Sequence, residues 1–262
     1  MPCGFTLGTM SALKIGSTES ALLDRLATRQ ALFFVLLDPD SGTPESVVEA
    51  GLLAAKHGAD ALLLGGSFIG NPHFPGIAAT LKKDAGVPVI LFPGGSGQVV
   101  PGPDAILFTT LLSGRNPQYL IDEQVRGGLL VKGLGMEAIP TAYLLIESGR
   151  MTAVEYISNT KPLPSDKPGI TAAHAVAAEL MGLRWVYLEA GSGAQNPVPP
   201  EIVGAVRMST GLTVIVGGGL RKPEDAAVRV AAGAHAIVVG NLFEKDRDPG
   251  LFEQFAKAVH GT

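Results

Sequence analysis

Short runs of apolar residues recur along the chain, and a glycine or small-residue loop follows most of them. Five of these runs begin directly after a glycine: ADALLL after Gly58, VPVILFP after Gly86, LRWVYLEA after Gly182, LTVIV after Gly211 and AHAIVV after Gly233. A glycine at such a place supplies the left-handed residue that ends a helix. An unbroken apolar run is typical of a parallel strand buried on both faces. Each unit therefore predicts a helix followed by a strand.

Three further apolar runs lack the leading glycine and bring the number of predicted strands to eight. They are LFFVLL before Asp38, AILFTT after Asp104 and PTAYLLIE after Ile139. Strands that alternate with helices are typical of an α/β fold with a parallel sheet. The predicted helices span residues 43–57, 116–134, 171–181, 200–208, 223–232 and 249–259, with a weaker one at 76–84.

One connection is too short for a helix. The segment between the third and fourth strands, GGSGQVVPGP at 94–103, has few residues and two prolines. We therefore predict a modified (βα)8 TIM barrel that lacks its third helix. Residues 1–262 form a single domain, in which residues 1–30 are an N-terminal extension whose helix, at 18–30, covers the bottom of the barrel.

An open doubly wound sheet is the alternative architecture. A dinucleotide-binding sheet of that kind carries Gly-x-Gly-x-x-Gly after its first strand. This chain has Asp38-Pro39-Asp40 there instead, which favours the barrel.

Composition and charge narrow the class of protein. Of the 262 residues, 46% are hydrophobic and 17% charged, which excludes a disordered chain. A net charge of −4 gives no basic surface for nucleic acid. The only cysteine, Cys3, permits no disulfide framework, and no stretch offers the roughly 20 apolar residues of a membrane span. These features predict a cytoplasmic location.

Glycine-rich loops follow the last two predicted strands. The seventh strand is followed by Gly217, Gly218 and Gly219, and the eighth by Gly240 and Asn241. Consecutive glycines let backbone N–H groups converge on an anion, and the loops after strands seven and eight are where such barrels hold a phosphate. The sequence therefore predicts a phosphate site, with a merely flexible loop as the alternative.

The sixth predicted strand carries two polar side chains on one face. Tyr187 and Glu189 alternate with apolar residues, and Gly191, Ser192 and Gly193 follow. If that face points inward, a phenol and a carboxylate stand at the mouth of the barrel, where catalysis occurs in this fold. The alternatives are core packing for Tyr187 and a solvated charge at the strand end for Glu189.

Two oxygen-bearing side chains follow the first two strands. Asp38 ends the first apolar run, and Ser67 comes just after the second. A carboxylate and a hydroxyl from neighbouring strands suit Mg²⁺, which leaves its other positions to water and phosphate. We interpret the nearby Asp40 mainly as part of a capping turn before the helix that starts with Pro44.

Six motifs together resemble those of the geranylgeranylglyceryl phosphate synthase family, including its bacterial heptaprenylglyceryl relatives. They are LLDPD, GGS, PGG, YLEAGSGA, VGGGLRKPEDA and VVGNLFE, in the family's order over nearly the whole chain. The resemblance implies a cytosolic, Mg²⁺-dependent prenyltransferase on a barrel without its third helix. Such an enzyme joins a polyprenyl diphosphate, typically geranylgeranyl diphosphate, to the C3 hydroxyl of sn-glycerol 1-phosphate. An ether bond forms and diphosphate leaves.

The resemblance also assigns site residues. It implies Mg²⁺ at Asp38 and Ser67. From the chemistry we interpret Glu189 as the base that takes the hydroxyl proton and Tyr187 as the residue that orients the glycerol. The apolar tail would lie along loops such as 92–103. Glycerol phosphate would be held by Tyr187, Leu188, Glu189, Ala190, Gly191, Ser192 and Gly193, and its phosphate by Gly218, Gly219, Gly240 and Asn241.

One position departs from the bacterial heptaprenyl branch. That branch has a lysine two residues before the metal aspartate, where this chain has Leu36. The difference implies the longer archaeal-like group, whose members are often homo-oligomers, here a dimer or hexamer. It leaves open whether Arg221 or Lys161 meets the diphosphate.

Two other functions stay open on the sequence. The chain could be a phosphate-binding isomerase on the same scaffold, or a barrel that binds a phosphorylated metabolite without catalysis. Isomerases usually place a second acid or base at another strand end, and here the candidates are Asp38 and Glu147. A non-catalytic binder has no use for Asp38 and Glu189 together.

Overall fold

Eight parallel strands close into a barrel in the computed structural model, which describes residues 15–245 and 248–261. Each strand pairs with the next along the chain, and β8 pairs with β1, with Leu32 opposite Ala236. The barrel prediction is confirmed, and the open sheet is excluded. The strands are β1 Leu32–Leu37, β2 Ala61–Leu64, β3 Val89–Leu91, β4 Ala105–Thr110, β5 Glu137–Leu145, β6 Trp185–Glu189, β7 Thr213–Gly217 and β8 Ala236–Val239.

Helices connect the strands everywhere except between β3 and β4. That connection contains only a short 3₁₀ turn, Ser96–Gln98. The prediction that the helix after the third strand of the barrel is missing is therefore confirmed. The helices are α1 Ser17–Leu26, α2 Pro44–Lys56, α3 Phe74–Asp84, α4 Glu123–Gly133, α5 Ala153–Ser158, α6 Pro168–Leu180, α7 Pro200–Ser209, α8 Pro223–Ala231, α9 Asn241–Lys245 and α10 Pro249–His260. In the described part of the chain, no helix is both long and apolar enough to cross a membrane.

Alternation along the strands divides the core into two layers. Phe34, Leu63 and Tyr187 face the barrel interior, whereas Phe33 and Leu62 pack against the helices. Because successive strand residues point to opposite faces, the continuous apolar runs fill both layers at once. The same alternation brings Tyr187 and Glu189 onto the inward face of β6.

Helix α1 covers the N-terminal end of the barrel. Its Leu22 is buried in the interior cluster. Its Glu19 carboxylate accepts hydrogen bonds from the Trp185 indole and the Arg184 guanidinium, both at 2.8 Å. Residues 1–14 of the predicted extension, Cys3 among them, lie outside the described residues.

Glycines end most helices as predicted. Gly58, Gly86, Gly182 and Gly233 all have positive φ, between 70° and 107°, which is the conformation that favours glycine. Gly211 does not belong to this group. Helix α7 already ends at Ser209, and the Gly211 N–H donates to Glu179 Oε1 at 2.7 Å. The prediction that Gly211 ends this helix in a left-handed conformation is therefore wrong.

Two segments differ from the predicted helices. The region 116–134 begins with a π-helical turn, Gln118–Asp122, and the regular helix α4 follows it. Asn116 Oδ1 accepts a hydrogen bond from the Gln118 N–H at the start of this turn. The sequence also gave no signal for the short helices α5 and α9. All three features lie at the carboxyl ends of strands, where they border the main cavity.

Candidate active site

A cavity of about 640 Å³ opens at the carboxyl ends of the strands. The ends of β1, β2, β6, β7 and β8 border it, together with parts of α4 and α5. The sequence-predicted side chains Asp38, Ser67, Tyr187, Glu189 and Asn241 all line it. The fold thus brings together residues that are more than 200 positions apart in the sequence.

Glu189 is the last residue of β6 and is buried, with 5% of its surface exposed. Burial raises the pKa of its carboxyl to about 7, although the Gly191 N–H, which donates to Oε1 at 2.6 Å, works in the opposite direction. A carboxyl with this pKa is partly ionised near neutral pH and can both take up and release a proton. Glu189 is therefore not a solvated charge at the strand end.

Tyr187 lies below Glu189 on the same inward face and is fully buried. Its ring stacks on Phe92 with the ring centres 4.9 Å apart, and Tyr143 packs beside it at 5.6 Å. Among the described residues, its hydroxyl has no hydrogen-bond partner of regular geometry. It nevertheless lies near enough to Glu189 that burial and the charge of Glu189 raise the pKa of the phenol. A buried hydroxyl that borders a cavity and makes no hydrogen bond of regular geometry can bond to a polar ligand.

The glycines after β7 make room for these two side chains. A Cβ atom at Gly217 would lie 2.3 Å from the Tyr187 hydroxyl, and one at Gly218 would lie 2.3 Å from Glu189 Oε1. Gly218 also has a φ of 83°, which disfavours any other residue. Glycine is thus required here by close contacts with the candidate catalytic pair, and a merely flexible loop does not explain the sequence.

The loops after β6 and β8 are joined above the same cavity. Ser192 Oγ donates to Asn241 Oδ1 at 2.8 Å, which ties the Gly-Ser-Gly turn to the first residue of α9. Gly193, Gly218, Gly219 and Gly240 line the cavity alongside them. The predicted phosphate loops therefore border one space, as the order of the barrel strands requires.

Two residues of the predicted glycerol phosphate segment point elsewhere. Leu188 and Ala190 alternate with Tyr187 and Glu189 and are buried in the outer layer, against the helices. Gly191 does not line the cavity either, but its N–H orients the Glu189 carboxylate. The prediction that the whole segment surrounds the ligand needs this correction, because only every second strand residue faces inward.

Asp38 and Ser67 offer oxygen atoms to the cavity from adjacent strands. Asp38 Oδ1 accepts the Asp40 N–H at 2.8 Å, and its Oδ2 lies beside Gly66, where a Cβ atom would be 3.3 Å away. Burial raises the pKa of this carboxyl, and among the described residues it has no cationic partner. Within the same residues no group of three or more His, Cys, Asp or Glu could hold a metal. A site of few oxygens suits Mg²⁺, which keeps water and phosphate as its other ligands.

Asp40 has a different role from the predicted one. Its carboxylate accepts the backbone N–H groups of Gly70 and Asn71 at 2.7 and 2.9 Å. The cap of α2 is Thr43, whose hydroxyl accepts the Ser46 N–H. The capping interpretation of Asp40 is therefore wrong, and Asp40 instead fixes the loop between β2 and α3 next to Ser67.

Of the two cations expected at the cavity, Arg221 lines it and Lys161 does not. The Arg221 guanidinium donates to the carbonyl oxygens of Ala194 and Gln195 at 2.7 and 3.0 Å, so it holds the loop after β6. Lys161 does not line the cavity, whereas Arg150 does. One signal for Arg150 is present in the sequence, because the residue lies soon after the end of β5, but the conformation of the intervening loop determines where its side chain lies.

The cavity continues as an apolar groove toward β4. Phe92, Val99, Phe108, Tyr119 and Ile157 line this part, which includes the helix-free segment that the sequence assigned to the prenyl tail. One wall is fixed by Glu123 at the start of α4. Burial works to raise the pKa of this carboxyl, but hydrogen bonds from Ser96 and Gln118 lower it overall and hold the 3₁₀ turn against the helix.

Comparison with known proteins gives a consistent set of relatives. The sequence profile of the PcrB family matches residues 25–259. The geranylgeranylglyceryl phosphate synthase of Korarchaeum cryptofilum is 45% identical over 219 residues, which are 84% of this chain and 90% of that protein. The enzyme of the same name from Thermococcus kodakarensis is 43% identical over 234 residues, or 89% of this chain and 92% of that protein.

Among the solved structures that align with the whole barrel is the crystal structure of (S)-3-O-geranylgeranylglyceryl phosphate synthase from Thermoplasma acidophilum in complex with substrate sn-glycerol-1-phosphate. It aligns with a TM-score of 0.88 and 28% identity, covering 95% of this chain and 100% of the other.

Proposed function

Because the chain belongs to the PcrB family, we propose that it is a Mg²⁺-dependent prenyltransferase acting on sn-glycerol 1-phosphate. The resemblance that the sequence motifs predict is confirmed by the family match and by the relatives, which are geranylgeranylglyceryl phosphate synthases. The second substrate is a polyprenyl diphosphate, with geranylgeranyl diphosphate as the first candidate. The supporting observation is that the Glu189 carboxyl and the Tyr187 hydroxyl lie beside each other, beneath the glycine loops of one cavity.

The proposed reaction forms one bond and breaks one. The C3 oxygen of glycerol phosphate bonds to C1 of the prenyl chain, the C1–O bond to diphosphate breaks, and diphosphate leaves with the bonding electrons. Positive charge that develops at C1 is delocalised over the allylic system, so the nucleophile needs positioning more than strong activation. Glu189 takes up the proton of the C3 hydroxyl.

The surrounding residues hold the reactants. The Tyr187 hydroxyl bonds a glycerol oxygen, and the backbone N–H groups near Gly218, Gly219 and Gly240 surround the phosphate. The apolar groove takes the prenyl tail and keeps water away from the allylic carbon, because captured water would give an alcohol instead of the ether.

The charges of the cavity support a bound divalent cation. Among the described residues that line it are three carboxyl groups, of Asp38, Glu123 and Glu189, but only two guanidinium groups. Protein charge alone therefore does not balance a phosphate and a diphosphate. When bound, Mg²⁺ would neutralise the leaving diphosphate, and Asp38 and Ser67 are the residues that would hold it.

The isomerase alternative requires a second acid or base at the cavity, and Glu147 does not supply it. The Glu147 carboxylate accepts bonds from the Gly149 N–H and the Ser165 hydroxyl and does not line the cavity. Asp38 is then the only sequence-predicted partner of Glu189, and its position suits the metal better than proton transfer.

A product assay tests the proposal. The purified chain is incubated with Mg²⁺, geranylgeranyl diphosphate and either sn-glycerol 1-phosphate or its 3-phosphate enantiomer, and the ether product and diphosphate are measured. We expect product from the 1-phosphate only. Product from neither enantiomer overturns the prenyltransferase, and a preference for the 3-phosphate overturns the choice of acceptor.

A cytoplasmic location and a homo-oligomeric state stay predictions. Light scattering measures the oligomeric state.

A further inference from the structure

Among the described residues, two guanidinium groups border the cavity in which we propose that phosphate groups bind, and they differ in whether protein atoms already occupy them. Arg221 already donates to two backbone carbonyls of the loop after β6. Arg150 lines the same cavity. Among the described residues, its guanidinium makes neither an ion pair nor a hydrogen bond. A cation without a protein partner at an anion-binding cavity is available for a ligand.

The backbone around Arg150 is held in place. The Gly149 N–H donates to the Glu147 carboxylate at 3.0 Å, and Ile146 forms a β-bridge with Leu163. The Ser148 carbonyl accepts the Asn196 N–H at 3.0 Å, which joins this loop to the segment after β6. The position of the Arg150 backbone is thus set by the fold, while its side chain stays exposed to the cavity.

The Arg150 guanidinium lies against the Gly-Ser-Gly turn. A Cβ atom at Gly193 would lie 2.7 Å from Arg150 Nη2, so a larger residue there would displace the guanidinium. Gly193 also has a φ of 70°, and the neighbouring Ser192 bonds to Asn241 beside the second phosphate loop. The guanidinium is therefore placed next to the loops that form the predicted phosphate site.

We propose that Arg150 binds a phosphate group of a substrate, and that the phosphate of glycerol 1-phosphate is the first candidate because of the contact with Gly193. The inference rests on the proposed function. A guanidinium presents two parallel N–H donors to a phosphate, and such charged hydrogen bonds are about twice as strong as neutral ones. The diphosphate of the prenyl substrate offers the same chemistry and is the other source of the anion.

Binding experiments separate the two sources. Calorimetry on the full chain with Mg²⁺ gives the affinity for sn-glycerol 1-phosphate and, separately, for inorganic pyrophosphate, in wild type, Arg150→Gln and Arg150→Lys. We expect Arg150→Gln to weaken one of these affinities roughly ten- to hundredfold, and Arg150→Lys to restore part of the loss. Because the side chain makes no protein hydrogen bond, the melting temperature stays that of wild type. The control Lys83→Gln removes one positive charge from an 82% exposed side chain on α3 and leaves both affinities unchanged.

Each outcome is decisive. Loss of glycerol phosphate affinity alone assigns Arg150 to the acceptor, and loss of pyrophosphate affinity alone assigns it to the diphosphate. Equal affinities in wild type and Arg150→Gln for both ligands overturn the proposal. A wild type that binds these ligands but forms no ether product contradicts the proposed function and leaves the test of Arg150 intact.

Discussion

Replacement of Glu189 by glutamine separates the stability of the barrel from its activity. The carboxyl is buried and its pKa is about 7, against an ordinary value of 4.5. This difference corresponds to about 3 kcal/mol between the two protonation states. Since the unfolded chain releases the proton at lower pH than the folded one, wild-type stability falls as the pH rises from about 4.5 to 7. Glutamine cannot ionise and removes that loss.

Urea denaturation at a series of pH values, without Mg²⁺ or substrates, measures the effect. We expect Glu189→Gln to be only slightly more stable than wild type near pH 5, and more stable by about 3 kcal/mol above pH 7.5. Glu45→Gln is the matched control, since it changes an exposed carboxyl in the first turn of α2. Its effect stays below about 1 kcal/mol.

The same variant tests catalysis. General-base catalysis contributes roughly a hundred- to ten-thousandfold, so we expect kcat to fall by that factor while sn-glycerol 1-phosphate still binds. In wild type, we expect kcat/KM to rise as the pH increases through about 7, and in the variant we expect this rise to be absent. A stability difference that does not change with pH would refute the claim that burial raises the pKa of the Glu189 carboxyl. Unimpaired product formation would show that Glu189 is not the base.

Two further variants test the metal site and the glycine loop. Asp38→Asn keeps the shape of the turn but removes the charge, so we expect activity to be lost together with its Mg²⁺ dependence; activity that responds to Mg²⁺ as in wild type would contradict the assignment. Gly217→Ala places a Cβ atom 2.3 Å from the Tyr187 hydroxyl, and we expect it to cost about 1–3 kcal/mol by urea denaturation and to raise the KM for glycerol phosphate. Its control, Gly76→Ala, meets no atom within 4 Å and leaves KM unchanged, and equal effects of the two substitutions would refute the close contact.

The barrel could be predicted because its signals are local. An apolar run, a helix-ending glycine and a connection too short for a helix can each be recognised within about ten residues. Gly211 shows the limit of such signals, because a helix that ends two residues earlier leaves its glycine in an ordinary conformation. The π-helical turn at Gln118–Asp122 is likewise not revealed by the apolar pattern, which predicts one regular helix over 116–134.

The site was predictable where it lies at strand ends. Asp38 directly follows β1 and Glu189 ends β6, and the order of the strands in a barrel brings both residues to one mouth. The role of Asp40 was not predictable, since its partners Gly70 and Asn71 lie some 30 residues away. Arg150 was missed for the same reason, because a folded loop determines its contact with Gly193.

A structure of the chain with sn-glycerol 1-phosphate bound tests the central claim most directly. The decisive quantity is the distance from the C3 hydroxyl oxygen of the ligand to the Glu189 carboxylate. We predict a hydrogen-bond distance, about 2.6–3.2 Å, with the phosphate against the glycine loops at Gly218 and Gly240. A glycerol phosphate whose C3 hydroxyl points away from Glu189, or whose phosphate binds outside these loops, would contradict the account.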